Sequence, residues 1–189
     1  METITLFRDG DVYIAAGPEP TRRYLVSSAV LSNASPVFQA MFSKRFAEGQ
    51  GLSTGAPKPV SFPEDDPRSM EILLFAMHYH AAADLMVPSE GAAFARLCDK
   101  YGCLESMKSY MTSWFAATWE YVWGFDEECQ LCATAWHFGD DDSFRKCTAN
   151  LVLGHEGCFF KAASEGVCDI PIEVLCEWEV VCIRDSLLT

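Results

Sequence analysis

The chain is short of positive charge. Its 189 residues hold 14 Lys and Arg against 27 Asp and Glu, a net charge of −13. The deficit grows along the chain, from +1 over residues 1–60 to −5 over 61–125 and −9 over 126–189. Such a chain repels phosphate backbones and anionic lipid, so neither nucleic acid nor a membrane surface is an expected partner. The acidic last third reads as a solvated helical surface. Long apolar runs are also missing, and with no stretch of about 18 such residues no spanning helix is expected. Met1 to Gly10 carry Glu2, Arg8 and Asp9, and the expectation is that no secretory or transit leader is present.

Cysteine is absent before Cys98, the first of nine, an odd count. They read as reduced, buried, small apolar side chains of a protein of the cytosol or nucleus rather than as a disulfide framework. The motifs of common chemistries are lacking too. There is no phosphate-cradling Gly loop, no Gly-x-Ser-x-Gly elbow and no His-Glu-x-x-His. His78 and His80 stand two apart and diverge on a helix. Asp140-Asp141-Asp142 lacks the spaced ligands of a calcium loop and reads as a helix cap. The one metal- or redox-like pattern is Cys129-Gln130-Leu131-Cys132. As a zinc site it needs two more ligands, for which His137 and Cys147 are the near candidates. As a redox site it sits badly, behind Glu127 and Glu128, whose charges oppose thiolate formation. The expectation is a non-enzymatic protein without cofactor or metal, with a Cys-based zinc or redox protein as the alternative.

Apolar residues make up 50 % of the chain and charged residues 22 %, a balance that supports a folded core. Asp11 to Ala15 is a strand ending at Gly17-Pro18, and Tyr24-Leu25-Val26 is its hairpin partner. Ser27 to Leu31 is a short helix. Ser35-Pro36 and Asp66-Pro67 each pair a capping residue with a proline at the first helical position. Val37, Phe38, Met41 and Phe42 follow the first, and Met70, Leu73, Leu74 and Met77 the second, at helical spacing. Between them lies a Gly- and Pro-rich loop, Gly49 to Pro59, expected to be the least ordered internal segment, and then a short strand, Val60 to Phe62. Ser89 is expected to cap a helix carrying Phe94, Leu97, Cys98 and Tyr101, which Gly102 stops. From Leu104 onward every element reads as helix. These run from Leu104 to Thr118, from Glu127 to Phe138 after a break at Gly124, from the Asp140 cap to Gly154, around Phe159 to Ala163, and from Pro171. The aromatic run Trp114, Phe115, Trp119, Tyr121, Trp123, Phe125 is too dense to bury on one helix. It reads as core with Trp119 and Trp123 at a partner surface.

The element order and several spaced words resemble a BTB/POZ domain, above all its fungal branch. They are Gly10-Asp11-Val12, the run from Arg22 to Ser32, the run from Ala34 to Phe42, Phe46-Ala47-Glu48-Gly49, the run from Pro63 to Pro67, and the run from Leu97 to Cys103. The resemblance covers residues 9–116 and implies an α+β fold, a small sheet capped by helical hairpins. Residues 117–189 are then an all-α extension. It also implies protein–protein assembly, with a second such domain in a homodimer or with a cullin scaffold of a ubiquitin ligase. Cullin-binding members carry an apolar–any–acidic tripeptide after the first helical hairpin, and Phe46-Ala47-Glu48 stands there. Two departures weaken a repressor-type homodimer. Ten residues before Asp11 leave at most a truncated N-terminal segment to exchange, and Ser28 stands where such members place a basic partner for Asp11.

Overall fold

β-Branched and aromatic residues in short runs build one four-stranded sheet. The structure, a computed structural model, describes residues 1–80, 86–119, 124–154 and 170. Val12–Ala16 (β2) and Arg22–Val26 (β3) form the expected antiparallel hairpin, with Val12 opposite Val26 and Ile14 opposite Tyr24. Lys58–Phe62 (β4) lies parallel to β2. It begins two residues before the expected strand and takes in Pro59, which an edge strand tolerates because its outer N–H row is unpaired. The sequence reading had no strand before Asp11. Glu2–Thr5 (β1) is one, parallel to β3, and the sheet order is β1-β3-β2-β4. The short N-terminal segment thus closes its own chain's sheet edge. Arg22 bridges to Glu2 at 3.2 Å and Arg23 donates to Thr3 Oγ1 at 2.8 Å, which sets the register from the side chains as well.

The chain divides into two compact units, residues 1–86 with 96–111, and residues 87–95 with 112–189. In the first, Ser28–Ala34 (α1) and Pro36–Met41 (α2) form a hairpin whose starts are fixed by Ser27, accepting from Val30 N–H, and Ser35, accepting from Phe38 N–H at 3.1 Å. Ser35 Oγ also donates to the carbonyl of Tyr101 at 2.6 Å. Pro67–Met77 (α3) starts as expected, with Asp66 accepting from Ser69 N–H at 2.7 Å. Pro88–Lys100 (α4) and Leu104–Thr118 (α5) follow, the latter half of α4 and the start of α5 belonging to this unit. At Gly102, φ is +62°, and Cys103 N–H reaches back to the carbonyl of Cys98 at 2.8 Å, the Schellman stop the glycine was expected to supply. The core gathers Val12, Ile14 and Val26 from the sheet with Leu31, Phe38, Leu73 and Leu74 from the helices, all fully buried. Each such side chain contributes roughly 1.5–3 kcal/mol.

The second unit holds the first half of α4, the end of α5, Phe125–Phe138 (α6) and Asp141–Gly154 (α7). The start of α4 corrects the sequence reading. Ser89 lies inside the helix, and Glu90 accepts from Val87 N–H at 3.0 Å, so the cap bond comes from the third residue reaching back. Helix α6 starts two residues earlier than expected, at Phe125 behind Gly124. Asp140 caps α7 by accepting from Ser143 N–H at 2.8 Å, the role assigned to the aspartate run. Phe94 stacks on Phe138 at 6.0 Å, and Leu131, Ala135, Cys147 and Leu151 are buried. The helices expected around Phe159 and after Pro171 lie outside the described residues.

Candidate functional site: an exposed aromatic turn

Helix α2 ends at Met41, and the chain turns through Ser43 to Phe46 before a single 3₁₀ turn at Ala47–Gly49. Phe46 caps that turn with extended backbone (φ −108°), and Gly49 N–H donates to its carbonyl at 3.2 Å. The Phe46 side chain is 51 % exposed, and Glu48, two residues on, is half-buried. An aromatic ring that merely closed the core would be covered. This one is held outward.

Two features fix the turn. The ammonium of Lys58, at the start of β4, donates to the carbonyls of Ala47 and Gln50, the latter at 3.0 Å, and so ties both ends of the 3₁₀ turn to the sheet edge. Gly49 packs so closely on the preceding segment that a Cβ there would sit 2.0 Å from the carbonyl oxygen of Ser43 and 2.4 Å from that of Phe42. Neither Lys58 nor Gly49 was singled out from the sequence as part of the site. The Gly- and Pro-rich segment thus carries defined turn contacts of its own.

Below the turn, Phe38 stacks on Tyr101 at 4.5 Å, and the Tyr101 hydroxyl donates to buried Asp65 at 2.6 Å. Lys100 pairs with the same carboxylate at 2.5 Å. Burial and that hydrogen bond raise the Tyr101 phenol above its ordinary value, so it stays neutral and donating. A small recess of about 290 Å³ beside this group is lined by Val37, Met41, Phe62 and Pro63.

A second surface feature was not legible in the sequence. A groove of about 700 Å³ runs between α1, the end of α3 and the start of α5, lined by Val30, Ala34, Met77, Tyr79, Met107 and Tyr110 among others. Tyr79 stands beside it 95 % exposed, with φ +56°. Asp11 has no basic partner at the α1 start. Its carboxylate accepts from Ser28 N–H at 2.8 Å and Ser28 Oγ at 2.6 Å, so the serine consumes the acceptor that a cation would have faced.

The remaining sequence candidates do not come together as one site. Phe46 and Glu48 share the turn, while Trp119 belongs to the other unit. Trp119 is half-buried, and Lys146 lies 3.9 Å from its ring centroid, a contact within its own unit. Trp123 lies outside the described residues. Cys129 and Cys132 are fully buried on α6, and Cys132 Sγ sits 3.7 Å from the Thr148 hydroxyl. Among the described residues no three His, Cys, Asp or Glu lie close enough to hold a metal. Cys98 is buried as well, and burial raises its thiol with Cys103 adding to the effect, so it stays protonated.

Comparison with curated proteins finds no match to the chain. The BTB/POZ domain family model matches residues 5–113, from the last residue of β1 through the first turns of α5. That span holds β2, β3, β4, the helical hairpin and the exposed turn, and the chain belongs to the BTB/POZ domain family, whose domain is a protein–protein interaction module.

Proposed function

We propose that this chain is an assembly module that docks the Phe46–Glu48 turn onto a cullin-type helical scaffold, as an adaptor of a ubiquitin ligase. The observation that carries the reading is the exposure of Phe46 on a turn locked by Lys58 and Gly49. A rigid aromatic anchor loses little entropy on entering an apolar groove, and a neighbouring carboxylate fixes its register. Self-association is the second reading, favoured by the groove between α1 and α5 with the bare Tyr79 beside it. Both fit a protein of the cytosol or nucleus.

The test is light scattering coupled to size exclusion, on the chain alone and with a cullin N-terminal domain. A 1:1 complex is the expected result. Phe46→Ala should weaken it by about 2 kcal/mol or more, roughly thirtyfold, as for an interface anchor. Glu48→Lys should abolish it at low salt. Phe46 is exposed and Glu48 lies at the rim of the fold, half-buried, so thermal unfolding of the two variants should stay within about 1 kcal/mol of the wild type. No complex with the wild-type chain, or unchanged affinity in both variants, refutes the adaptor reading.

A further inference from the structure

Just past the end of α3 the chain carries His78, Tyr79 and His80, and the two imidazoles bind main-chain groups of different elements. His78 Nε2 lies 3.1 Å from the backbone N–H of Ser27, the residue that caps α1. Its other nitrogen, Nδ1, lies 2.9 Å from the carbonyl of Leu74. An amide N–H only donates, so Nε2 must accept and carry no proton, and Nδ1–H must donate to Leu74. The ring is therefore neutral and in one tautomer. His80 Nε2 lies 2.7 Å from the carbonyl of Leu6, just past β1, and a carbonyl only accepts, so that nitrogen carries a proton in either charge state.

We propose that His78 is a proton-operated latch: the neutral ring ties the cap of α1 to the end of α3, and a proton taken from solvent at Nε2 breaks that tie and loosens the start of α1. With Nε2 protonated, two N–H groups face each other where one hydrogen bond stood. Half-burial of His78 disfavours its charged form, the hydrogen bond to Leu74 offsets this only in part, and a charge on His80 disfavours it further, so its protonation point lies below the ordinary imidazole value. His80 follows on the same segment, and the Phe7 ring lies 6.2 Å away on the connection that also bears exposed Arg8 and Asp9. Asp11, just before β2, is occupied by Ser28 and remains a second tie on the first residue of α1 in both states.

The sign follows from the lowered value. A group less basic folded than unfolded stabilises fully above its unfolded value, about 6.5. That contribution fades as pH falls from there toward the folded value. Acid therefore loosens α1, which forms one wall of the groove proposed for self-association. That last consequence rests on the groove reading, whereas the latch does not.

Imidazole ¹⁵N shifts and amide exchange on the full chain test it. At pH 7.5 His78 should show the Nδ1–H tautomer, and this readout needs no variant. Between pH 7.5 and 5.5 the protection of the Ser27 amide, corrected for intrinsic exchange, should fall roughly tenfold, the worth of one such hydrogen bond. Amides in the middle of α3 should not change. In His78→Gln, which does not titrate, the fall should vanish. A charged ring or an Nε2–H tautomer at pH 7.5, or the same fall in His78→Gln, overturns the latch. Light scattering at the two pH values reads the consequence separately. Loss of a dimer at pH 5.5 in wild type alone extends the latch to assembly, and a monomer at both values overturns the groove reading while the exchange data stand.

Discussion

Phe38→Ala should lower the unfolding free energy by about 3–5 kcal/mol, the range for truncating a fully buried aromatic. Phe38 has no exposed surface and is gripped from three elements. Tyr101, just past α4, stacks on it at 4.5 Å, Phe42 after α2 lies parallel at 5.9 Å, and Phe62 of β4 meets it edge-on at 6.1 Å. Those neighbours are themselves restrained. Tyr101 is tied by its hydroxyl to Asp65, and its carbonyl is tied by Ser35. They are therefore poorly placed to collapse into the space left behind, and the cavity term adds to the lost transfer energy. Domains of this size typically hold about 5–15 kcal/mol in all, so the variant should be marginal at 37 °C. Urea unfolding followed by fluorescence and by circular dichroism checks it. The midpoint should drop with little change in slope, and Phe38→Leu should fall between the two. A loss under about 1 kcal/mol would mean that the aromatic cluster repacks freely.

The parts of this fold that could be read in the sequence are those written in adjacent residues. Ser35-Pro36 and Asp66-Pro67 each put a side-chain acceptor and a donor-free nitrogen at a helix start, and both helices begin there. The stripe Met70, Leu73, Leu74, Met77 is fully inward. What escaped depends on distant or backward-reaching partners. The β1 strand is four residues long and is defined by β3, twenty positions later. A run that short has too few periods to stand out. The start of α4 was misplaced because Ser89 looks like a cap, whereas Glu90 supplies the bond by reaching back to Val87.

The same division holds for the candidate site. Phe46-Ala47-Glu48 is visible as a tripeptide, but its outward pose is set by Lys58, which binds carbonyls and so leaves no side-chain signature. Tyr79 lies beyond the last residue of the α3 stripe, where helical periodicity carries no information, and the groove is assembled from α1, α3 and α5, which stand far apart in the sequence. Trp119 stands out in the sequence only as one aromatic among several. Its ring is met by Lys146 from a helix that begins more than twenty residues later.

Gly49→Val should abolish docking of the Phe46 turn while leaving Phe46 and Glu48 in place in the sequence. The obstacle is backbone rather than side chain: a Cβ at this position would stand 2.0 Å from the Ser43 oxygen and 2.4 Å from the Phe42 oxygen, both fixed by the end of α2. No rotamer relieves a contact with a carbonyl. The 3₁₀ turn must therefore move away, and with it go the hydrogen bond from Gly49 N–H to Phe46 and the carbonyls that Lys58 holds. Overpacking of this kind costs about 1–3 kcal/mol, and here it falls on a turn at the rim rather than on the Phe38 cluster. The expected result has two parts. Chemical unfolding should show a cooperative transition weakened by no more than that amount. Binding to the scaffold should fall below detection, a larger loss than Phe46→Ala gives, because both the anchor and the carboxylate are displaced together. Gly49→Ala should show the same pattern, since the clash is already complete at Cβ. Full binding by either variant would show that the turn's present geometry is dispensable, and the adaptor reading built on a preformed anchor would fall with it.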